Sequence, residues 1–521
     1  VIRRAIGETQ PAPRRVWRKT AWVVFALAAV TLLLHFLFNR EYGFFRDELY
    51  YMACGHHLAW GYVDQPPLVA VVARASEWLL GSSLFSIRFF PALAGAVVVF
   101  LTGKMAGELG GGKFAQGIAA LAMLAAPAYL AFDNFLSMNA FEPIFWTLCA
   151  LIALRIARGA DERWWLLFGV VAGVGLLNKN SMLIFGYAIF VALLLSPARR
   201  VFYSKWIWIA ALVAFAIFAP NLAWQWRHGW PQIQVVMNAR LYKNVPVSPL
   251  GFLFDQLLFM HPVTLPVWVA GLWWYFTVAR ERPERFLGVT WMILLAVFLL
   301  LRSKSYYLLP AYPLLMSAGG VAWERWLESA RWSRARVALP AAIALGGLIT
   351  LPYGLPILPI RDFLRYEKIL PMAGDIRVER DAHGPLPQLY ADMFSWRHTT
   401  RAVAGVYDAL PPAERTGCAI VAWNYGEAGA IDHYGKRYGL PQALSGHNNF
   451  YFWGPGDYSG SCVVAVGVPL SLLDEMFASV HLKKRVVNPH AMAVENHLPI
   501  YLCGKPKAPF DKMWPKLRYY I

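Results

Sequence analysis

Acidic residues are scarce in this chain of 521 residues: 31 Asp and Glu stand against 49 Lys and Arg, and charged residues of both signs make up only 15%. Cysteine is rarer still, at five, with no Cys-x-x-Cys and no Cys/His spacing of a zinc site. That removes a disulfide-scaffold or zinc-finger reading. Glycine-rich phosphate loops are missing, since neither a Walker-type nor a GxGxxG run occurs, so no nucleotide-binding unit of those kinds is expected. No internal repeat and no low-complexity segment is present, which argues against a solenoid or a disordered tail.

What the chain has instead is apolar sequence. Hydrophobic residues make up 58%, and the mean hydropathy is +0.41, both above what a soluble domain carries. Apolar spans are read near residues 21–38, 89–107, 115–132, 141–157, 164–177, 181–196, 206–224, 261–279, 286–301, 308–324 and 337–353. Each is about long enough to cross a ~30 Å hydrocarbon core, allowing for tilt and short helices. The first span is long for a signal peptide and has no small-x-small cleavage site after it, so it is read as an uncleaved helix. The net charge of +18 suits a nucleic-acid binder in size but not in placement. Arg199–Arg200, Arg280–Arg285 and Arg325–Arg336 all fall on one side if the spans alternate, which is the positive-inside pattern. The expectation is a polytopic α-helical membrane protein with about 11 transmembrane helices, cytoplasmic N-terminus and extracytoplasmic C-terminus, integral to the cytoplasmic membrane and without a nucleic-acid partner.

Residues 1–20 are read as a cytoplasmic tail and 21–355 as the membrane domain, in which 39–88 forms a long first outer loop. That loop carries a helix from Arg46 to Trp60, stopped by Gly61, and a second amphipathic helix over Leu68–Leu80, with the rigid Asp64-Gln65-Pro66-Pro67 turn between them. Tyr50, Tyr51, Trp60 and Tyr62 suit a helix lying in the membrane interface. Asp133–Glu142, Asn178–Asn180, about 225–260 and Arg302–Tyr307 are read as further outer loops. After Pro352, Pro356 and Pro359 the composition changes, and 356–521 is expected to be a small α/β extracytoplasmic domain. Cys418–Trp423 and Cys462–Val468 read as buried strands, Tyr425–Tyr438 and Ser471–Val480 as helices, and Ser445–Tyr458 as an aromatic loop. Two readings of the cysteines stay open: small buried hydrophobes throughout, or a Cys418–Cys462 bridge.

Asp47 and Glu48 sit just past the end of the first span. A carboxylate pair beside a bilayer is costly to desolvate and therefore tends to have a task. The task that fits is deprotonation of an acceptor for a lipid-borne substrate. The other charges at membrane edges, outside the topology clusters, fall on this same side, which points to a single site there.

RDELYY at 46–51, HLAWGYVDQPPL at 57–68, NAFEPIFW at 139–146, GLLNKNSML at 175–183, PNLAWQW and HGWP within 220–231, and KSYYLLPAYP at 304–313 resemble motifs of the dolichyl-phosphate-mannose protein mannosyltransferase superfamily, glycosyltransferase family 39. The chain is similar to the bacterial branch that includes the lipid A aminoarabinose transferase. The resemblance implies the GT-C fold, a polyprenyl-phosphate sugar donor lying among membrane lipids, and inverting transfer to an outer-face glycan, lipid or protein. It makes Asp47 the general base, against the plainer reading of an N-cap or a salt bridge with Arg46. Glu48 is placed beside it as an orienting or acceptor-binding carboxylate, against the plainer reading of a structural one.

Lys304, Arg302, Lys179 and Arg88 are the candidate cations for the departing phosphate, their plain alternative being snorkelling to head groups. Tyr306, Tyr307, Tyr51, Gln65 and His228 are candidates for donor phosphate or sugar contacts. Relatives often carry Lys where this chain has Gln65, which weakens a phosphate role for that turn. Asn139 and Glu142 form a second acidic motif in which some relatives have Asp at the position of Asn139. A divalent cation (Mg, Mn or Zn) bound by Asp47 and Glu142 is left open, with at most a thin ligand set. The rival from another class is a polyprenyl-glycan flippase without transfer chemistry, which should show paired discontinuous helices and repeats.

Overall fold

The structure is a computed structural model that describes residues 13–329, 334–371, 379–380 and 384–521. Most of the sequence tail 1–20 lies outside the described residues. The membrane part opens with α1 (Pro13–Phe38), followed by α2 (Arg46–His56), α3 (Leu68–Leu80), α4 (Leu84–Glu108), α5 (Lys113–Leu124), α6 (Pro127–Phe132), α7 (Met138–Ala157), α8 (Trp164–Asn178) and α9 (Ser181–Leu194). It continues through α10 (Lys205–Arg227), α11 (Pro231–Asn238), α12 (Pro249–Met260), α13 (Leu265–Thr277), α14 (Arg285–Leu300), α15 (Tyr312–Ser329) and α16 (Ala335–Gly354). Five described helices are long and apolar enough to cross a membrane (α1, α4, α7, α10, α16), and up to seven crossings result if each of two bent helix pairs counts as one. The eleven segments read from sequence are thus all helical, but not all as full-length spans. The 115–132 segment, for example, breaks at Ala125–Ala126 ahead of Pro127, which cannot continue the preceding helix.

Large apolar side chains stand exposed along these helices, among them Phe25, Leu33, Leu212, Phe215 and Leu348. Such a belt is costly in water and ordinary in lipid. Without a hydrophobic drive between helices in lipid, packing rests on close approach of small residues. At the α13–α15 contact a Cβ on Gly271 would collide with the Leu315 carbonyl, and one on Gly319 with that of Val267.

Two boundaries differ from the sequence reading in ways that matter for the site. α2 stops at His56 rather than Trp60. Gly61 is not a stop signal; a Cβ there would lie 2.7 Å from the Trp224 ring and 2.8 Å from Asn221, so it is a contact glycine. The stretch 225–260 is not a loop, because α11, a π-helical turn (Ala239–Lys243) and α12 fill it.

Beyond α16 come α17 (Ile360–Ile369), α18 (Gln388–Ala391), α19 (Trp396–Asp408), α20 (Pro412–Arg415) and a five-stranded mixed sheet. β1 (Cys418–Ala422) runs parallel to β2 (Ala443–Leu444) and β3 (Cys462–Val466); β5 (Leu498–Pro506) is antiparallel to both β3 and β4 (Phe477–Val486). The Ser471–Val480 segment was expected to be one helix. It divides into a short helix, Leu470–Met476, and the start of β4. Cys418 and Cys462 are register partners on neighbouring strands and form a disulfide. Alternation along the strands sends Ile420, Ala422 and Val464 to one face and Ala419, Val421 and Val463 to the other. The first face shares a core with α2 and α3, through α21 (Tyr425–Tyr434). Gly429 permits this: a Cβ there would sit 2.8 Å from the Leu49 backbone. The sheet module is therefore packed onto the helix that carries Asp47.

Candidate active site

Asp47 lies in the first turn of α2, where a carboxylate suits the exposed N–H groups of a helix start. Its neighbour closes that turn. Glu48 accepts the Phe45 N–H at 2.8 Å and the Leu136 N–H at 2.9 Å, and is fully buried. Arg88, also fully buried, donates to Glu48 at 2.9 Å and to the carbonyls of Asn39 at 3.0 Å and Gly43 at 2.7 Å. This pair joins α1, α2, α4 and the segment before α7. Both residues were candidates from sequence; the structure places them in a buried pair, and neither lines the cavity beside Asp47.

Beside Asp47 opens a cavity of about 240 Å3. Its lining combines polar side chains, Arg46, Asp47, Asn139, Lys304 and Glu379, with apolar ones, Pro127, Ala128 and Phe132 from α6 and Leu258 and Phe259 from α12, and with the amphipathic Tyr306 and Tyr353. α12 also fixes the Lys304 loop. Asp255 accepts from Ser305 Oγ at 2.5 Å, and Gln256 donates to the Ser305 carbonyl at 2.9 Å.

Three cations meet on one carboxylate here. Glu379 lies 3.3 Å from Arg46, 3.4 Å from Lys243 and 3.8 Å from Lys304. Burial works to raise the Glu379 carboxyl, but Lys243, Arg46 and Lys304 outweigh it and hold it well below the usual carboxylate range. Burial pulls the Lys304 ammonium down to about 8, with Glu379 opposing. Asp392, 3.7 Å from Arg46, is pushed up to about 7 by burial, against the pull of Arg46.

Asp47 Oδ1 accepts a hydrogen bond of 2.8 Å from Tyr425 Oη, the first residue of α21. Burial pushes the Tyr425 phenol well up, so it serves as a donor. The neighbouring Tyr50 hydroxyl goes instead to Asp64 at 2.8 Å. Asp64 is raised to about 6 by burial, which that hydrogen bond opposes.

The remaining sequence candidates divide. Tyr306 and Asn139 line the cavity. Lys179 stands one step behind it, bonded to Asn139 at 2.8 Å and Glu142 at 2.7 Å with its ammonium 4.6 Å from the Tyr307 ring. Glu142 is also held by Ser181. Lys179, Tyr307 and Glu142 thus support Asn139 and are not at the cavity wall. Arg302 is exposed and outside the cavity. Gln65 is buried against Cys54, Tyr51 is buried beside Tyr50, and His228 stacks on Trp224 at 4.0 Å while bonding that residue's carbonyl; none of the three lines the cavity. Among the described residues no group of three His, Cys, Asp or Glu is arranged to hold a metal ion. With Glu142 already bonded to Lys179 and Ser181, Asp47 and Glu142 do not fit a tightly held divalent cation.

The sequence reading missed Glu379, Lys243, Asp392 and Tyr425 as site residues. Lys243 lies in the 225–260 stretch read from sequence as an outer loop. The others come from distant segments that the fold alone brings to α2.

Residues 64–224 match the family model described as dolichyl-phosphate-mannose-protein mannosyltransferase; Asp47 and Lys304 lie outside that stretch. The lipid A galacturonosyltransferase RgtD of Rhizobium johnstonii is 24% identical over 348 residues, 65% of this chain and 70% of that protein. ArnT of Cupriavidus metallidurans, solved in the apo state and bound to undecaprenyl phosphate, is similar in structure with a TM-score of 0.60 and 16% identity, over 93% of this chain and 98% of ArnT. The oligosaccharyltransferase of Archaeoglobus fulgidus is similar with a TM-score of 0.51 and 15% identity, over 80% of this chain and 64% of that one. The chain is thus similar to the dolichyl-phosphate-mannose-protein mannosyltransferase family over residues 64–224 and shares with ArnT the GT-C fold of a helical membrane protein.

Proposed function

We propose that the protein is an inverting glycosyltransferase that moves a monosaccharide from a polyprenyl phosphate to an acceptor on the extracytoplasmic face. The carrying observation is a single cavity lined both by Asp47, Arg46 and Lys304 and by apolar side chains of α6 and α12. A long-chain lipid phosphate combines the same two chemistries. ArnT, whose fold this chain shares, has been solved with undecaprenyl phosphate.

In this reading the prenyl chain lies along Phe132, Leu258 and Phe259, and the phosphate meets Lys304, Arg46 and Lys243, where Glu379 now sits. Asp47 takes the proton of an acceptor hydroxyl as that oxygen bonds to the anomeric carbon. The bond from that carbon to the phosphate oxygen breaks, and its electrons go to the phosphate. A phosphate is a good leaving group once cations neutralise it, so no second carboxylic acid has to protonate it, unlike the usual glycosidase pair. The acceptor is an envelope glycan, a lipid or a protein.

The test is reconstitution in nanodiscs with a bacterial membrane lipid extract, followed by lipid mass spectrometry. Loss of a polyprenyl-phosphate sugar, with free polyprenyl phosphate appearing, supports transfer. Movement of intact lipid between leaflets without that conversion would favour the flippase reading.

A further inference from the structure

The sheet module reaches the reacting carboxylate through one side chain. Tyr425 is buried, and its ring is held from several sides: Tyr50 at 4.7 Å, His447 at 4.6 Å and the Arg46 guanidinium at 5.6 Å. Its backbone is fixed as well. Asn424 and Glu427 close the start of α21 reciprocally, with Glu427 N–H donating to Asn424 Oδ1 at 2.9 Å and Asn424 N–H to Glu427 Oε2 at 3.1 Å. Gly426 lets this turn lie against Arg46: a Cβ there would be 2.6 Å from Arg46 Cγ. The phenol is thus delivered to Asp47 Oδ1 with little freedom of its own.

Asp47 has no comparable restraint. Its side chain is 29% exposed, its other polar contact is Arg46 Nε at 3.8 Å to the same Oδ1, and Oδ2 meets no protein donor among the described residues. A general base must hold one lone pair in line with the proton it removes. A carboxylate free to rotate about its last bond does so only part of the time.

We propose that Tyr425 is a positioning residue, whose hydroxyl pins Oδ1 of Asp47 so that Oδ2 is the oxygen offered to the acceptor, which makes the sheet module a working part of the transfer site. This rests on the reading of Asp47 as base. Oδ2 receives the acceptor proton and later releases it to solvent, while Tyr425 keeps its own proton throughout.

The experiment compares wild type, Tyr425→Phe and Asp47→Asn in transfer from a polyprenyl-phosphate sugar, with donor retention and melting followed in the same preparations. Tyr425→Phe keeps the ring stack and removes only the hydroxyl. It is expected to lower kcat about 10- to 100-fold, the scale of one hydrogen bond to a charged group, while leaving donor KM and the melting temperature unchanged. A merely structural role would lower melting or raise donor KM together with the loss of kcat. Wild-type kcat in Tyr425→Phe, with Asp47→Asn inactive, would overturn the positioning role alone. Activity in Asp47→Asn would overturn the base assignment beneath it. Should Tyr425→Phe not fold, a fluorinated tyrosine at 425, a stronger donor of the same shape, must change kcat with donor KM unchanged; no change would refute the proposal.

Discussion

Replacing Arg88 separates two accounts of the same residue. As a phosphate ligand it would be dispensable for folding; as the buried partner of Glu48 it is not. The guanidinium serves the Glu48 carboxylate and the Asn39 carbonyl, both out of water, and the half-buried Gly43 carbonyl. Removing one member of a buried ion pair costs about 3–5 kcal/mol, since the other charge is left uncompensated. The two carbonyls that lose their donor add about 1 kcal/mol or more each. The sum, about 5 kcal/mol or more, rivals the whole stability of many domains. Arg88→Met is therefore expected to melt on the order of 10 °C lower than wild type in detergent, or to fail purification. Arg88→Met combined with Glu48→Leu should recover part of the loss, because no buried charge then stands alone. The assay is thermal melting by intrinsic fluorescence, with binding of undecaprenyl phosphate to the same samples. A wild-type melting curve for Arg88→Met together with a tenfold or greater loss of lipid binding would refute this reasoning and restore Arg88 as a phosphate ligand.

Three further outcomes follow from the cavity and the sheet. Lys304 is charged below about 8 and loses its proton above it, so kcat/KM for the donor should fall as pH rises through about 8, and Lys304→Arg should carry that alkaline limb upward; a limb unmoved by the substitution counts against Lys304. Glu379→Gln removes the carboxylate that occupies Arg46, Lys243 and Lys304, so undecaprenyl phosphate should bind about tenfold more tightly in a titration, roughly the worth of one charge-assisted bond; weaker binding would show that Glu379 helps the anion site and does not compete for it. The Cys418–Cys462 bridge spans 44 residues, so Cys418→Ala with Cys462→Ala should destabilise the sheet module by about 4 kcal/mol, read as faster amide exchange in β1 and β3; unchanged exchange would contradict a structural role.

Much of this fold was legible because membrane helices announce themselves by composition alone. α1, α4, α7, α10 and α16 need only a continuous apolar run, and the α2–α3 hairpin needs only helical spacing and a Pro-Pro turn. α12 was hidden because PLGFLFDQLLFM carries Asp255 and Gln256 in an apolar stretch and follows a polar one; only the fold shows that these two polar groups hold Ser305. β4 was hidden because a strand exposed on both faces over residues 481–485, three of them Lys or Arg, lacks a continuous apolar run. Asp47 could be picked out from its place after a span and from the RDELYY motif. Its neighbour Glu48 could not be told from it by sequence, since burial separates them: one carboxylate opens on the cavity and the other is sealed with Arg88. Tyr425 and Glu379 lie more than three hundred residues from Asp47 in sequence, and no local pattern links either to it.

The most direct test of the account is lipid mass spectrometry on purified wild type and Asp47→Asn after incubation with membrane lipid extract and the outer-face acceptor fraction. The account predicts that both proteins retain a polyprenyl-phosphate sugar at first, and that only the wild type consumes it. Consumption of the donor by folded Asp47→Asn at the wild-type rate would contradict it.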